Sequence, residues 1–129
     1  VALTIEVCDR KRAESALRQA EEKYRSIFEN AVTGIFQTTP DGHYLSANPA
    51  LARIYGYQSS QALMADLTNI QHQLYVDPER RLKFINLMQR YGKVSEFESQ
   101  IYRQDGSIIW ISENAIAVRS SEGELLCYE

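Results

Sequence analysis

The groups with which this 129-residue chain could do chemistry are two histidines, two cysteines and scattered carboxylates. His43 and His72 each stand alone in their segments, with no His or Glu one helical turn away and no Cys nearby, so the spacing points to no metal site. Cys8 and Cys127 lie near opposite ends without a C-x-x-C pair, which predicts neither a disulfide framework nor a zinc ligand set; two reduced thiols of a cytosolic protein are expected. Acyl or phosphoryl transfer needs a nucleophile beside a base, or a glycine-rich phosphate loop. No G-x-S-x-G, G-x-x-x-x-G-K-[ST] or G-x-G-x-x-G occurs, and the six glycines stand singly at turn positions. This stretch is therefore expected to carry no catalysis, no metal and no cofactor held by its own motif. Binding and relay are the remaining chemistry.

The bulk properties agree with a binding module. A net charge of −3, with 24% charged and 44% hydrophobic residues, is the balance of one globular domain. Phe, Tyr and Trp at 10% supply apolar surface for a core. No apolar run approaches the roughly 20 residues that cross a bilayer, so no direct membrane contact is expected and the piece reads as cytoplasmic. The acidic balance, with Lys and Arg spread along the chain, offers no footprint for nucleic acid.

The elements that must position any site follow from periodicity. From Arg10 to Phe28 helix formers dominate, and Ala13, Leu17, Ala20, Tyr24 and Ile27 recur at spacings of four, three, four and three, a heptad seam of about two and a half repeats. Two readings follow: an amphipathic helix packed on its own domain, or a connector helix that dimerises. GIFQTT, Pro40-Asp41-Gly42 and HYLSA then predict a hairpin. Asn48-Pro49 opens a short helix closed by Gly56; Ser59 caps a second, and a third spans Thr68 to Leu74. Asp77-Pro78-Glu79 opens a longer helix ended by Gly92, with Leu82, Ile85 and Met88 at the centre of its apolar face. Strands are expected over Val94 to Arg103, Ile108 to Val118 and Leu125 to Tyr128, the first two joined at Gln104-Asp105-Gly106. This order defines an α+β fold with an antiparallel sheet, helices on one face and a pocket between them.

Three segments carry a family resemblance: EEKYRSIFENAVTGIFQTTPDGHYLSANPALARIYGYQSSQAL, LYVDPERR and FESQIYRQDGSIIWISENAIAVRSSEGELLCYE. In this order they resemble a PAS sensor domain of the bacterial multidomain-receptor kind, over about Glu22 to Glu129. The resemblance implies a five-stranded antiparallel sheet with short helices on one face and an N-terminal amphipathic connector helix. Glu6-Val7-Cys8-Asp9-Arg10-Lys11 is similar to the Asp-Ile-Thr-Glu-Arg-Lys junction between successive PAS domains, with Glu6 in place of the Asp and Cys8 in place of the Thr. Residues 1–9 are accordingly expected to be a junction or the tail of an upstream module, 10–28 the connector helix, and 29–129 the PAS domain, whose own C-terminal junction would follow Glu129. Haem-binding members take an axial His from the long helix, which has none here. Members with a flavin–cysteine adduct carry a Cys in the central helices, and none lies between residues 9 and 126. Non-covalent flavin stays open.

The resemblance also orients the strand Ile108 to Val118. Trp110 sits on the outer face covered by connector helices, a signal face, while Ile111, Glu113 and Ala115 turn inward. Glu113 is either a partly solvated position or a polar contact in an apolar pocket. Phe36, Ile54 and Ile70, together with Leu74, Leu82 and Ile85, either line that cavity or fill the core. Two functions compete. One is a sensory input domain that binds a small ligand, or relays a conformational change, through a homodimer of connector helices to an effector in cis such as a histidine kinase. The other is a ligand-free dimerisation or spacer scaffold within a nucleotide cyclase or diguanylate cyclase.

Overall fold

The computed structural model of the chain describes residues 2–129, with side chains from Arg10 onward. Its first element, α1 (Ala2–Asn30), begins upstream of the expected Arg10 and continues two residues past Phe28. The side chains of the junction-like residues 1–9, Cys8 among them, lie outside the described ones.

The hairpin forms where Pro40-Asp41-Gly42 predicts it. Strand β1 (Phe36–Thr38) pairs antiparallel with β2 (Tyr44–Ala47), and Gly42 takes φ 95°, a conformation only glycine adopts freely. Asn48 caps α2 (Pro49–Ile54) and does more than cap. Its Oδ1 accepts from the Leu51 N–H at 3.0 Å and from the Ile35 N–H at 2.9 Å, while Nδ2 donates to the Thr33 carbonyl at 2.9 Å. One side chain thus ties the entry of β1 to the start of α2. Gly34 lets the two approach, since a Cβ there would lie 2.8 Å from Leu51 Cδ1. Ser59 and Asn69 cap α3 (Ser60–Asp66) and α4 (Ile70–Gln73) through side-chain oxygens.

The long helix α5 (Glu79–Tyr91) starts one residue later than expected. Pro78 takes the cap position, and Asp77 Oδ1 accepts the Glu79 N–H at 3.0 Å; Gly92 ends the helix at φ 74°. Its buried face corrects the sequence reading: it is centred on Arg81, Phe84 and Met88, and Leu82 is half exposed. At 100° per residue the 81–84–88 stripe turns Leu82 away from the sheet, and an arginine replaces it because flanking aromatic rings accept the guanidinium. That guanidinium lies 5.0 Å from the Phe84 ring and 5.7 Å from that of Tyr128.

Strands β3 (Lys93–Tyr102), β4 (Ile108–Arg119) and β5 (Leu125–Tyr128) complete a five-stranded antiparallel sheet of order β2-β1-β5-β4-β3. A bulge interrupts the β3–β4 ladder between Val94 and Phe97, where Glu96 adopts φ 51° and its N–H bonds to Asn114 Oδ1. Two apolar clusters fill the space under the sheet. One gathers Leu63, Ile70, Leu74 and Ile101 beneath α2 to α4; the other gathers Phe84, Met88, Val94, Phe97 and Ala115 beneath α5. Ile70 and Leu74, each at most 2% exposed, fill the first cluster. Ala115 packs in the second beside Phe84 and Phe97, with Ile85 at its margin.

Candidate functional site

A carboxylate under the sheet is the most unusual group among the described residues. Strand alternation turns Glu113 inward between Ile111 and Ala115, as expected for β4, and the Tyr75 hydroxyl donates to its Oε1 at 3.1 Å. Tyr75 is held in turn by an isolated bridge to Ile101, so the end of α4 fixes the phenol against the sheet. The hydroxyls of Tyr44, from β2, and Tyr55, from the end of α2, meet beside the same carboxylate. Desolvation raises Glu113 to about 7, a rise opposed by the Tyr75 hydrogen bond and then by the charges of Arg81 and Arg80. Burial, and the neighbouring Glu113 charge, push the Tyr44 and Tyr75 phenols up; for Tyr55 burial acts first and the Tyr44 hydroxyl next. Arg81 supplies positive charge from α5 and also donates from Nη2 to the Thr39 carbonyl at 3.3 Å.

This cluster opens to a groove of about 380 Å³. Phe36 and Gly34 form one wall, Trp110 to Asn114 the other, and Leu51, Ile54 and Tyr55 the floor. Of the residues expected to line a cavity, the structure therefore brings Phe36, Ile54, Ile111 and Glu113 to one place. Ile70, Leu74, Ile85 and Ala115 instead belong to the packed clusters, and Leu82 faces solvent. Trp110 is 68% exposed, on the outer face where the resemblance puts it. Tyr44, Tyr55, Tyr75 and Arg81 were absent from the expected site. Their elements are far apart in sequence, and the signal that could find them is polar side chains at positions whose neighbours are all core.

A larger hollow of about 540 Å³ is lined by α1 residues alone, from Ala20 to Glu29, so it is an open helix face and encloses nothing. The seam positions Leu17, Tyr24 and Ile27 are more than half exposed there, and every described side chain of α1 up to Ile27 is exposed. The helix does not pack its stripe on its own domain.

A helix-flanked five-stranded antiparallel sheet of order 2-1-5-4-3, with a polar cluster at the inner face of its long hairpin, defines a PAS-type α+β module. The family model described as PAS domain matches residues 32–128, and the chain belongs to that family, whose members are modules of signal transduction. It is similar to the sensor histidine kinase TmoS of Ectopseudomonas mendocina, 29% identical over 99 residues, which are 74% of this chain and 10% of that protein. The chain thus spans about a tenth of that relative's length. Among solved structures it resembles a PAS domain from Colwellia psychrerythraea, with a TM-score of 0.72 at 20% identity over 84% of this chain and 91% of that one. It also resembles a domain of a sensory box sensor histidine kinase/response regulator from Geobacter sulfurreducens, with a TM-score of 0.62 at 24% identity over 87% and 94% of the two chains. No described helix is long and apolar enough to cross a membrane.

Proposed function

We propose that the domain is a sensory input module that reads its signal at the Glu113–Tyr75 cluster and relays it through a homodimer of α1 helices to an effector in the parent chain, a histidine kinase by similarity to TmoS. The observation that carries the relay is α1 itself: 29 residues long, with an apolar seam on a charged helix and its side chains from Arg10 to Ile27 exposed. A helix of that length gains stability from a partner along its stripe, and a second copy supplies the same stripe in register. Sensing is supported by a few convergent polar groups at the end of an apolar groove, the composition of small-molecule sites. The buried Thr38 hydroxyl has no hydrogen-bond partner among the described residues, and it lies outside the lining of the groove.

The filled cluster around Leu63 and Ile101, both 0% exposed, favours the scaffold reading in that half of the domain, so any ligand response has to arise at the groove end. Leu17→Asp places a charge in the seam. Sedimentation of the purified domain is expected to show self-association weakened at least tenfold with the thermal transition of the PAS fold unchanged. Equal association of the two proteins across a wide concentration range would remove the α1 dimer from the account.

A further inference from the structure

Arg81 is a buried cation, 4% exposed, and among the described residues no carboxylate is in salt-bridge contact with it. A buried charge without a counter-charge is costly, so it holds to whatever partial charges surround it. Here these are the Thr39 carbonyl, which accepts from Nη2 at 3.3 Å, and the ring faces of Phe84 and Tyr128. The neighbouring Arg80 is fixed more firmly. Its Nη2 donates to the Glu98 carbonyl at 2.6 Å and its Nε to Ser99 Oγ at 3.3 Å, with the guanidinium 4.1 Å from the Phe97 ring. Of these two arginines of α5, Arg81 is the loosely held one.

The counter-charge that Arg81 lacks can be made in the same cluster. Burial raises the Glu113 carboxyl to about 7, against the Tyr75 hydrogen bond and then the charges of Arg81 and Arg80, and no second carboxylate acts on it. The other titratable groups that face it are phenols: Tyr44 from β2, Tyr55 from the end of α2 and Tyr75 from the end of α4, all pushed up by burial and neutral near pH 7. Tyr57, which donates to Asp66 of α3, acts on Tyr44. The inward positions of β3 are Phe97, Ser99 and Ile101, none of them titratable, and β5 places the Tyr128 ring against Arg81. Ionisation of Glu113 is thus the event near neutral pH that creates negative charge beside a buried, loosely held cation.

We propose that Glu113 and Arg81 form a proton-operated latch. With the carboxyl protonated, Arg81 stays on the Thr39 carbonyl and ties α5 to the β1–β2 hairpin; when the proton leaves for water, the guanidinium moves to the carboxylate and releases the hairpin. The latch rests on the reading of this cluster as the domain's input, and it names the proton as the regulator. A guanidinium–carboxylate hydrogen bond is roughly twice as strong as one between neutral groups, so the ionised carboxylate outcompetes a carbonyl held at 3.3 Å. The Thr39 carbonyl also accepts the Gly42 N–H at 3.1 Å, so the turn of the hairpin feels the release. Tyr44, Tyr75 and Arg81 line no part of the groove, and the latch works whatever occupies it.

Nuclear magnetic resonance of the native chain across neutral pH tests the latch without a variant. The Glu113 carboxyl carbon and the Arg81 Nε–H are expected to shift together, with one midpoint near 7, while the Arg80 Nε–H stays in place. Amide exchange at Thr39 and Gly42 gives a second measure, taken as the ratio of native protein to Glu113→Gln at the same pH. That ratio cancels base catalysis and the adjacent His43, present in both proteins. It is expected to rise from about 1 well below the midpoint to roughly tenfold above it, as local opening of the hairpin becomes easier. An Arg81 signal that stays flat while Glu113 titrates overturns the latch, and so does a ratio of about 1 throughout in two folded proteins. The output of the intact parent judges the sensory reading separately. A latch that titrates as described, with output indifferent to Glu113→Gln, keeps the latch and removes the input role; output that responds to Glu113→Gln with a flat Arg81 signal does the reverse.

Discussion

Replacing Asn48 with alanine is expected to destabilise the domain by about 4 kcal/mol, a large share of the roughly 5–15 kcal/mol that holds a domain of this size. The loss has three parts. The α2 cap is worth about 1 kcal/mol, and the Ile35 N–H and Thr33 carbonyl are each left without their partner at a cost of about 1–3 kcal/mol. Asn48 is 0% exposed, so water cannot replace the amide without opening the junction. Asn48→Ser keeps an oxygen for Leu51 but cannot span to both Ile35 and Thr33, and its loss is expected to be intermediate. Urea unfolding with an unchanged m-value measures both; a loss under 1 kcal/mol for alanine would show that the clamp is not what joins β1 to α2.

The second large effect is on the pH dependence of stability. Burial raises Glu113 from the ordinary carboxyl value of 4.5 to about 7, so between those values the folded state keeps a proton that the unfolded chain has released. The folded state is therefore favoured at low pH. Stability from this group is complete below about 4.5 and falls as pH rises through about 7, by about 3 kcal/mol in all. Asp41 and Asp105, whose carboxyls are lowered by side-chain hydrogen bonds to Thr39 and Ser107, act in the opposite sense and below that window. Glu113→Gln keeps the shape and the acceptor for Tyr75 while removing the proton. Denaturation between pH 4.5 and 8 is expected to show the decline in the native protein and a nearly flat profile in the variant. The same decline in both would place its origin elsewhere.

Much of the fold is legible in the sequence because its boundaries are set locally. Pro40-Asp41-Gly42, Asn48, Ser59 and Gly92 each act on backbone groups within a few residues, so their types announce turn, cap and stop without knowledge of the rest. The buried face of α5 was less legible. Hydropathy points to Leu82, while the structure buries Arg81, whose guanidinium is accommodated by the rings of Phe84 and Tyr128, contributed by different elements. The candidate site is harder still. Glu113 could be singled out from the alternation of one strand, but Tyr44, Tyr55 and Tyr75 reach it from β2, α2 and the end of α4. Only the assembled sheet brings them together. Ala115, two residues from Glu113 and on the same face of β4, lies among Phe84, Phe97 and Val94 because α5 crosses the sheet there.

The central claim is that the Glu113–Tyr75 pair sets the signalling state. Ligand or proton can shift an output only by differing in affinity for two states, and coupling free energies of about 1–3 kcal/mol correspond to roughly 5–150-fold changes. The most direct measurement is the effector output of the intact parent carrying Glu113→Gln or Tyr75→Phe, assayed with and without stimulus, with Trp110 fluorescence as a check that the domain stays folded. A change of at least fivefold in the resting or the stimulated output is predicted for both variants. Output equal to that of the native parent in both conditions, from two folded variants, would contradict the claim and leave the domain as a scaffold.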